Sequence, residues 1–232
     1  GGSSVAFNAI KSGELDMYVD YTGTLLVNVM KHAPIKDADE AYNVVKDTME
    51  KENQLTLLAP LGFNNTYTLA MMPETAEKYG INTISDLTKY GKEFTFSPTL
   101  EFENREDGLV GLSRDYGLKF KDVKAMNGSL RYTALVNNET QVIDAFTTDG
   151  LIDKFQLVVL EDDKEFFPPY DAVPIIREDT LKEFPELKDV LGKLDGRLTE
   201  EKMRKLNYEV DINKRDVKTV AIEFLKSEGL VD

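Results

Sequence analysis

The sequence predicts an α/β fold in two lobes, on three observations. Short alternating or apolar runs trade places with amphipathic helical stretches along all 232 residues. No internal repeat or low-complexity tract interrupts that alternation. Two runs, Leu55 to Leu58 and Leu157 to Leu160, are apolar throughout and bracket the middle third of the chain. A chain that leaves one lobe and returns to it crosses twice, so residues 1–61 and 172–232 are expected to form one lobe and 62–171 the other. Strands alternating with helices imply mostly parallel pairing, with a ligand in the cleft between lobes.

Taken in order, Ser3 or Ser4 can cap a helix through Val5, Phe7, Ala9 and Ile10 that closes at Gly13. Asp16 to Tyr21 alternates as a strand and stops at Thr22-Gly23, which puts Thr24 at the N-cap of a helix carrying Leu25, Leu26, Val29 and Met30. An acidic helix spans about Asp37 to Glu52, its Ala41, Val44, Val45 and Met49 on one face. The run ending at Met71 alternates as a strand, and short helices then end at Gly80 and Gly91. Phe94 to Phe96 is a strand that leads into Pro98 and a polar loop, Glu101 to Gly108. Helices through Leu109 to Tyr116 and Arg131 to Val136 flank a strand at Val123 to Met126. Val142 to Phe146 is again a strand, closed by Thr147-Thr148-Asp149-Gly150. After Pro168-Pro169, which cannot lie inside a helix, Ala172 to Ile176 is the last strand. Helices over 180–184, 187–194 and 199–207, and one capped by Asp216, complete the chain.

Composition excludes several functions. Cysteine is absent, which removes thiolate catalysis, zinc-thiolate sites and disulfides. The single histidine, His32, has no second imidazole near it, so neither a metal nor a cofactor is expected. A net charge of −14 argues against nucleic acid as a partner. Glu101, Glu103 and Asp107 could serve a carboxylate-dependent enzyme, but they do not match a calcium loop and no nucleophile–base pair accompanies them. A solvated acidic loop is the simpler reading.

Four aromatic residues stand at strand ends or in breaks: Tyr21, Tyr67, Phe146 and Tyr170. Each alone reads as readily as core packing. The Tyr21 face beside the turn at Thr24 suits a small molecule that is cationic at one end and a carboxylate at the other.

Four blocks, Tyr21-Thr22-Gly23-Thr24, Gly62-Phe63-Asn64-Asn65-Thr66-Tyr67, Asp144-Ala145-Phe146-Thr147-Thr148-Asp149-Gly150 and Phe167-Pro168-Pro169-Tyr170-Asp171-Ala172-Val173-Pro174, resemble in matching order the signature of the substrate-binding proteins of osmoprotectant ABC importers. The resemblance implies a two-lobed periplasmic-binding-protein fold (type II-like), no enzymatic activity, an extracytoplasmic location, anchored or fused to a membrane permease or periplasmic, and that ABC permease as partner. It implies further that Tyr21, Tyr67, Phe146 and Tyr170 wall a quaternary-ammonium cage, with Phe146 where Tyr or Trp is usual. Thr24 and Arg105 fall where a ligand carboxylate is held, and Asn65 where a polar group supports the cage. The neutral Thr24 favours a zwitterionic betaine over choline, with glycine betaine, carnitine, proline betaine and ergothioneine all open. A ligand-sensing effector domain of the same fold is the alternative. Members of this family also carry a strand and helix ahead of the segment corresponding to Gly1, so the resemblance implies a weakened cleft, or a dimer or swapped chain in which a neighbour fills the gap.

Overall fold

Each alternating or apolar run becomes a strand in the computed structural model, which describes residues 2–231. The strands are β1 (Met17–Tyr21), β2 (Leu55–Leu57), β3 (Tyr67–Met71), β4 (Thr95–Ser97), β5 (Asp122–Val123), β6 (Val142–Phe146), β7 (Val158–Val159) and β8 (Ala172–Arg177). They divide between two compact units. One comprises the chain up to Asn65, Pro168–Val210 and the residues from Lys214 on; the other comprises Thr66–Phe167 with Asp211–Asn213.

In the first unit the sheet order is β1-β8-β2, and β8 runs antiparallel to both neighbours. The helix Ser3–Ser12 precedes β1 and ends on Gly13, whose φ of 81° is the left-handed conformation that glycine enters without a Cβ penalty. Ser3 and Ser4 are helical and Gly2 holds the N-cap, one position earlier than expected. The helix Ala38–Asn53 starts where the Asp37 carboxylate accepts the Glu40 N–H at 2.8 Å. Its Ala41, Val45 and Met49 pack with Phe7, Ile10, Leu25, Leu26, Leu55 and Val173 into the core of this unit.

The turn after β1 departs from expectation. Gly23 takes the position before the helix, Thr24 opens the helix itself, and Thr24–Val29 winds as a π-helix. Its signature is the Met30 N–H donating to the Leu25 carbonyl at 2.9 Å, five residues back. The wider turn lets three consecutive side chains, Leu25, Leu26 and Val27, all be buried.

The second unit holds a five-stranded sheet in the order β5-β4-β6-β3-β7. Here β4 lies parallel to β5 and β6, whereas β3 lies antiparallel to β6 and β7. The mostly parallel pairing expected from the sequence is therefore confined to the strands joined by helical crossovers. Antiparallel pairs occur where the chain enters a unit or leaves it. Thr83 and Asp86 form a reciprocal capping box on the helix Ile84–Tyr90. The stretch expected as an open polar loop begins instead with a helical turn, Leu100–Glu103, capped by the Thr99 side chain.

Leu26 is fully buried in the core of the first unit. Leu26→Ala is expected to cost about 2–5 kcal/mol, read as a lower urea midpoint at unchanged slope.

Candidate functional site

In the first unit β1 and β8 pair so that Tyr21 lies opposite Ala172. The pairing continues past both strands. Thr22 N–H donates to the Asp171 carbonyl at 3.0 Å, and its hydroxyl donates to the Pro169 carbonyl at 3.0 Å while accepting the Asp171 N–H at 3.1 Å. Tyr170 is gripped from its other side. The Asn64 side-chain oxygen accepts the Tyr170 N–H at 2.9 Å, and the Asn65 N–H donates to the Tyr170 carbonyl at 3.0 Å. Its ring lies over Gly23, where an added Cβ would sit 2.8 Å from the ring edge and 2.7 Å from the Pro169 oxygen. Glycine is thus required by close approach, since its own φ of −62° suits any residue. Tyr21 meets Phe63 edge-on, with ring centroids 6.4 Å apart. Thr24, Asn65 and Tyr170 are buried and Tyr21 is half-buried. Four predicted residues, Tyr21, Thr24, Asn65 and Tyr170, therefore fall within one stretch of this unit. Burial first, and then the Asp39 and Glu200 carboxylates, raise the Asp171 pKa beside them.

The other three meet in the second unit. Register places Tyr67, first residue of β3, directly across from Phe146, last residue of β6. Their ring centroids are 4.5 Å apart at a 35° tilt. Phe102 at 4.9 Å and Phe167 at 6.3 Å extend the aromatic wall around Tyr67. Arg105 lies with its guanidinium carbon 5.3 Å from the Tyr67 ring centre. That guanidinium is gripped by Asp107, from Nε at 2.7 Å and from Nη2 at 2.5 Å, and by Glu101 at 3.0 Å from Nη1. Two of the three carboxylates considered for an enzyme, Glu101 and Asp107, thus neutralise an arginine. Burial is the main reason the Tyr67 phenol holds its proton far above the ordinary range, so it is neutral at physiological pH.

Behind Phe146 stands a buried polar frame. One oxygen of Asp149 accepts the Phe146 N–H at 3.1 Å, the Tyr132 hydroxyl at 2.6 Å and Arg131 Nη2 at 3.2 Å. Arg131 Nε donates to the Asp144 carbonyl at 2.7 Å, and the Asp144 carboxylate accepts the Thr99 N–H and hydroxyl at 2.8 and 2.9 Å. Burial raises the Asp144 pKa despite Arg131 and Thr99, which pull it down. Asp162 plays a similar part at Phe167, accepting its N–H at 2.9 Å and the Tyr116 hydroxyl at 2.5 Å.

Sequence reasoning gave no role to Phe63, Phe102, Phe167, Gly23 and Asp149, and weighed Asp107 only as a carboxylate of an enzyme. Their common signal was adjacency: each lies within four residues of a residue that was singled out. Among the described residues no three His, Asp or Glu side chains gather to hold a metal ion, and no helix is long and apolar enough to cross a membrane.

Residues 1–227 match the family described as the substrate binding domain of ABC-type glycine betaine transport systems. The chain belongs to this family. A carnitine transport binding protein of Listeria monocytogenes is 40% identical over 231 residues, covering 99% of this chain and 75% of that protein. An ergothioneine transport permease/ergothioneine binding protein of Helicobacter pylori is 40% identical over 230 residues, 99% of this chain but 41% of that longer protein. The crystal structure of a glycine betaine/carnitine/choline ABC transporter superposes with a TM-score of 0.83 at 37% identity, covering this whole chain and 86% of that one. As a member of the glycine betaine substrate-binding family, the chain is a solute-binding component of an ABC importer and not an enzyme. Such components work outside the cytoplasm and hand their ligand to a permease.

Gly23→Ala tests how the candidate site of the first unit is built. The new methyl should displace the Tyr170 ring, altering the near-ultraviolet tyrosine dichroism and weakening ligand binding about tenfold or more, while the far-ultraviolet spectrum is retained.

Proposed function

We propose that the protein binds a quaternary-ammonium osmoprotectant, with Tyr21, Tyr67, Phe146 and Tyr170 as walls of one aromatic cage and Thr24, Asn65 and Arg105 serving the ligand's polar end. The observation that carries this reading is the Tyr67–Phe146 pair, with Phe102 and Phe167 behind it and carboxylates outnumbering the guanidinium at Tyr67. Such a surface suits a cation that offers no N–H to a hydrogen-bond acceptor. Each π face contributes roughly 0.5–2 kcal/mol to holding it. Three or four faces supply about half or more of the ~8 kcal/mol of a micromolar complex.

A betaine-type zwitterion is our first choice, because Thr24 places no negative charge at the polar end and the Arg105 guanidinium can donate to a carboxylate. Glycine betaine, carnitine, ergothioneine and choline are the compounds to titrate, being those bound or transported by the relatives according to their names. We extend the proposal to a role tethered at the outer membrane face, as a lipoprotein or fused to its permease.

Calorimetric titration with the four compounds tests the reading. Tyr67→Ala is expected to abolish measurable binding of all of them, and Arg105→Ala to weaken carboxylate-bearing ligands more than choline. Retention of micromolar affinity by Tyr67→Ala would refute the cage.

The outer edge of β1 carries no strand among the described residues, and Val19 on it is 46% exposed. An open edge is a template for a further strand. We propose that a second copy pairs there, giving a dimer in sedimentation velocity at micromolar concentration; a monomer across that range would remove this part.

A further inference from the structure

We propose that Glu101 is a resident carboxylate that holds Arg105 when the ligand has none of its own, and yields its place to a ligand that brings one. The inference rests on the cage reading and names the device by which one site would take both zwitterionic and purely cationic ligands.

Arg105 carries two carboxylates of opposite character. Asp107 is fully buried and takes Nε and Nη2 of the guanidinium together. Removing one partner of such a buried, forked pair strands the other's charge, so Asp107 is a fixed part of the unit. Glu101 takes Nη1, at 3.0 Å, and its side chain is 48% exposed against 4% for Arg105. A half-solvated contact of this kind contributes little and exchanges readily. Glu101 also sits in the four-residue turn Leu100–Glu103, one turn before Arg105, so its side chain can swing into water without disturbing the strands.

The sum of formal charge on the three groups is −1. With Glu101 in place, the surroundings of Tyr67 are therefore negative and attract a trimethylammonium group that carries no counter-charge. A ligand carboxylate arriving at Nη1 displaces Glu101, and the local charge at the guanidinium is unchanged by the exchange. The Tyr67 phenol feels these charges: after burial, Arg105 lowers its proton affinity while Glu101, Asp144 and Asp107 raise it. Glu101 thus lies close enough to the ring to act on what the ring binds.

Glu101→Gln removes the charge and keeps an acceptor for Nη1. Wild type and variant are titrated with choline and with glycine betaine at low and at physiological salt, with a thermal melt confirming that both are folded. The expected result is a loss of choline affinity of about three- to tenfold, shrinking as salt rises, with betaine affinity unchanged or improved. Equal change for the two ligands, or none, overturns the inference while leaving the cage intact. A wild type that binds glycine betaine and rejects choline overturns it too, because choline should find Glu101 at its post. A wild type that binds neither compound ends the cage reading and this inference together.

Discussion

Two antiparallel strand pairs govern where the candidate aromatic residues stand. Parallel neighbours place like ends side by side, so the start of β3 could never lie beside the end of β6. Antiparallel pairing puts Tyr67 and Phe146 directly opposite each other, at ring distance 4.5 Å. The same arrangement joins the end of β1 to the start of β8, where Thr22 and the 169–171 segment extend the ladder and fix Tyr170. Each unit thus gathers its candidate residues at the meeting of an entering strand with a leaving one. Helices contribute little directly; they bury the apolar faces that hold those ladders in register.

Arginines beside rings proposed to hold a positively charged group look contradictory until their partners are counted. Arg105 faces Asp107 and Glu101, and Arg131 faces Asp144 and Asp149. In both places carboxylates outnumber guanidinium groups, so the frame is rigid without being cationic. Rigidity follows from the penalty for separating such groups: leaving one partner of a buried pair alone costs about 3–5 kcal/mol, whereas the intact pair adds little net stability. The pairs therefore define geometry more than they stabilise the fold. Asp149 shows this well, since the acceptor that holds Arg131 and Tyr132 also holds the backbone of Phe146.

The elements were legible in the sequence because alternation and helical spacing report directly on which faces are buried. The helix Ala38–Asn53 and its Asp37 cap, and the strand Val142–Phe146, lie almost where their patterns place them. Strand direction was not legible. A short buried run such as Leu55 to Leu57 has the same composition whether its neighbour runs up or down. The π-helix after Gly23 escaped for a related reason: Leu25, Leu26 and Val27 in succession fit no 3.6-residue stripe, yet a consecutive apolar triplet carries no mark of the wider turn. Of the site, the rings at breaks were readable and their supports were not. Asp107 is two residues from Arg105 and Asp149 three from Phe146, but only coordinates tell a forked ion pair from two charges in a loop.

Phe146 shows what those supports allow. A tyrosine wall can be steadied by its own hydroxyl, whereas a phenylalanine must be held from behind. Its N–H is fixed by Asp149, its strand is zipped to β3, and its face is set against Tyr67 at a 35° tilt. With the ring positioned by backbone and packing, the hydroxyl becomes dispensable and the π face remains. In the proposed cage this removes one hydrogen-bonding group from the wall and leaves recognition there to charge and methyl shape. In the proposed cage, specificity at the polar end then falls to other groups, and the half-exposed Glu101 on the Arg105 guanidinium is the charge we propose for it.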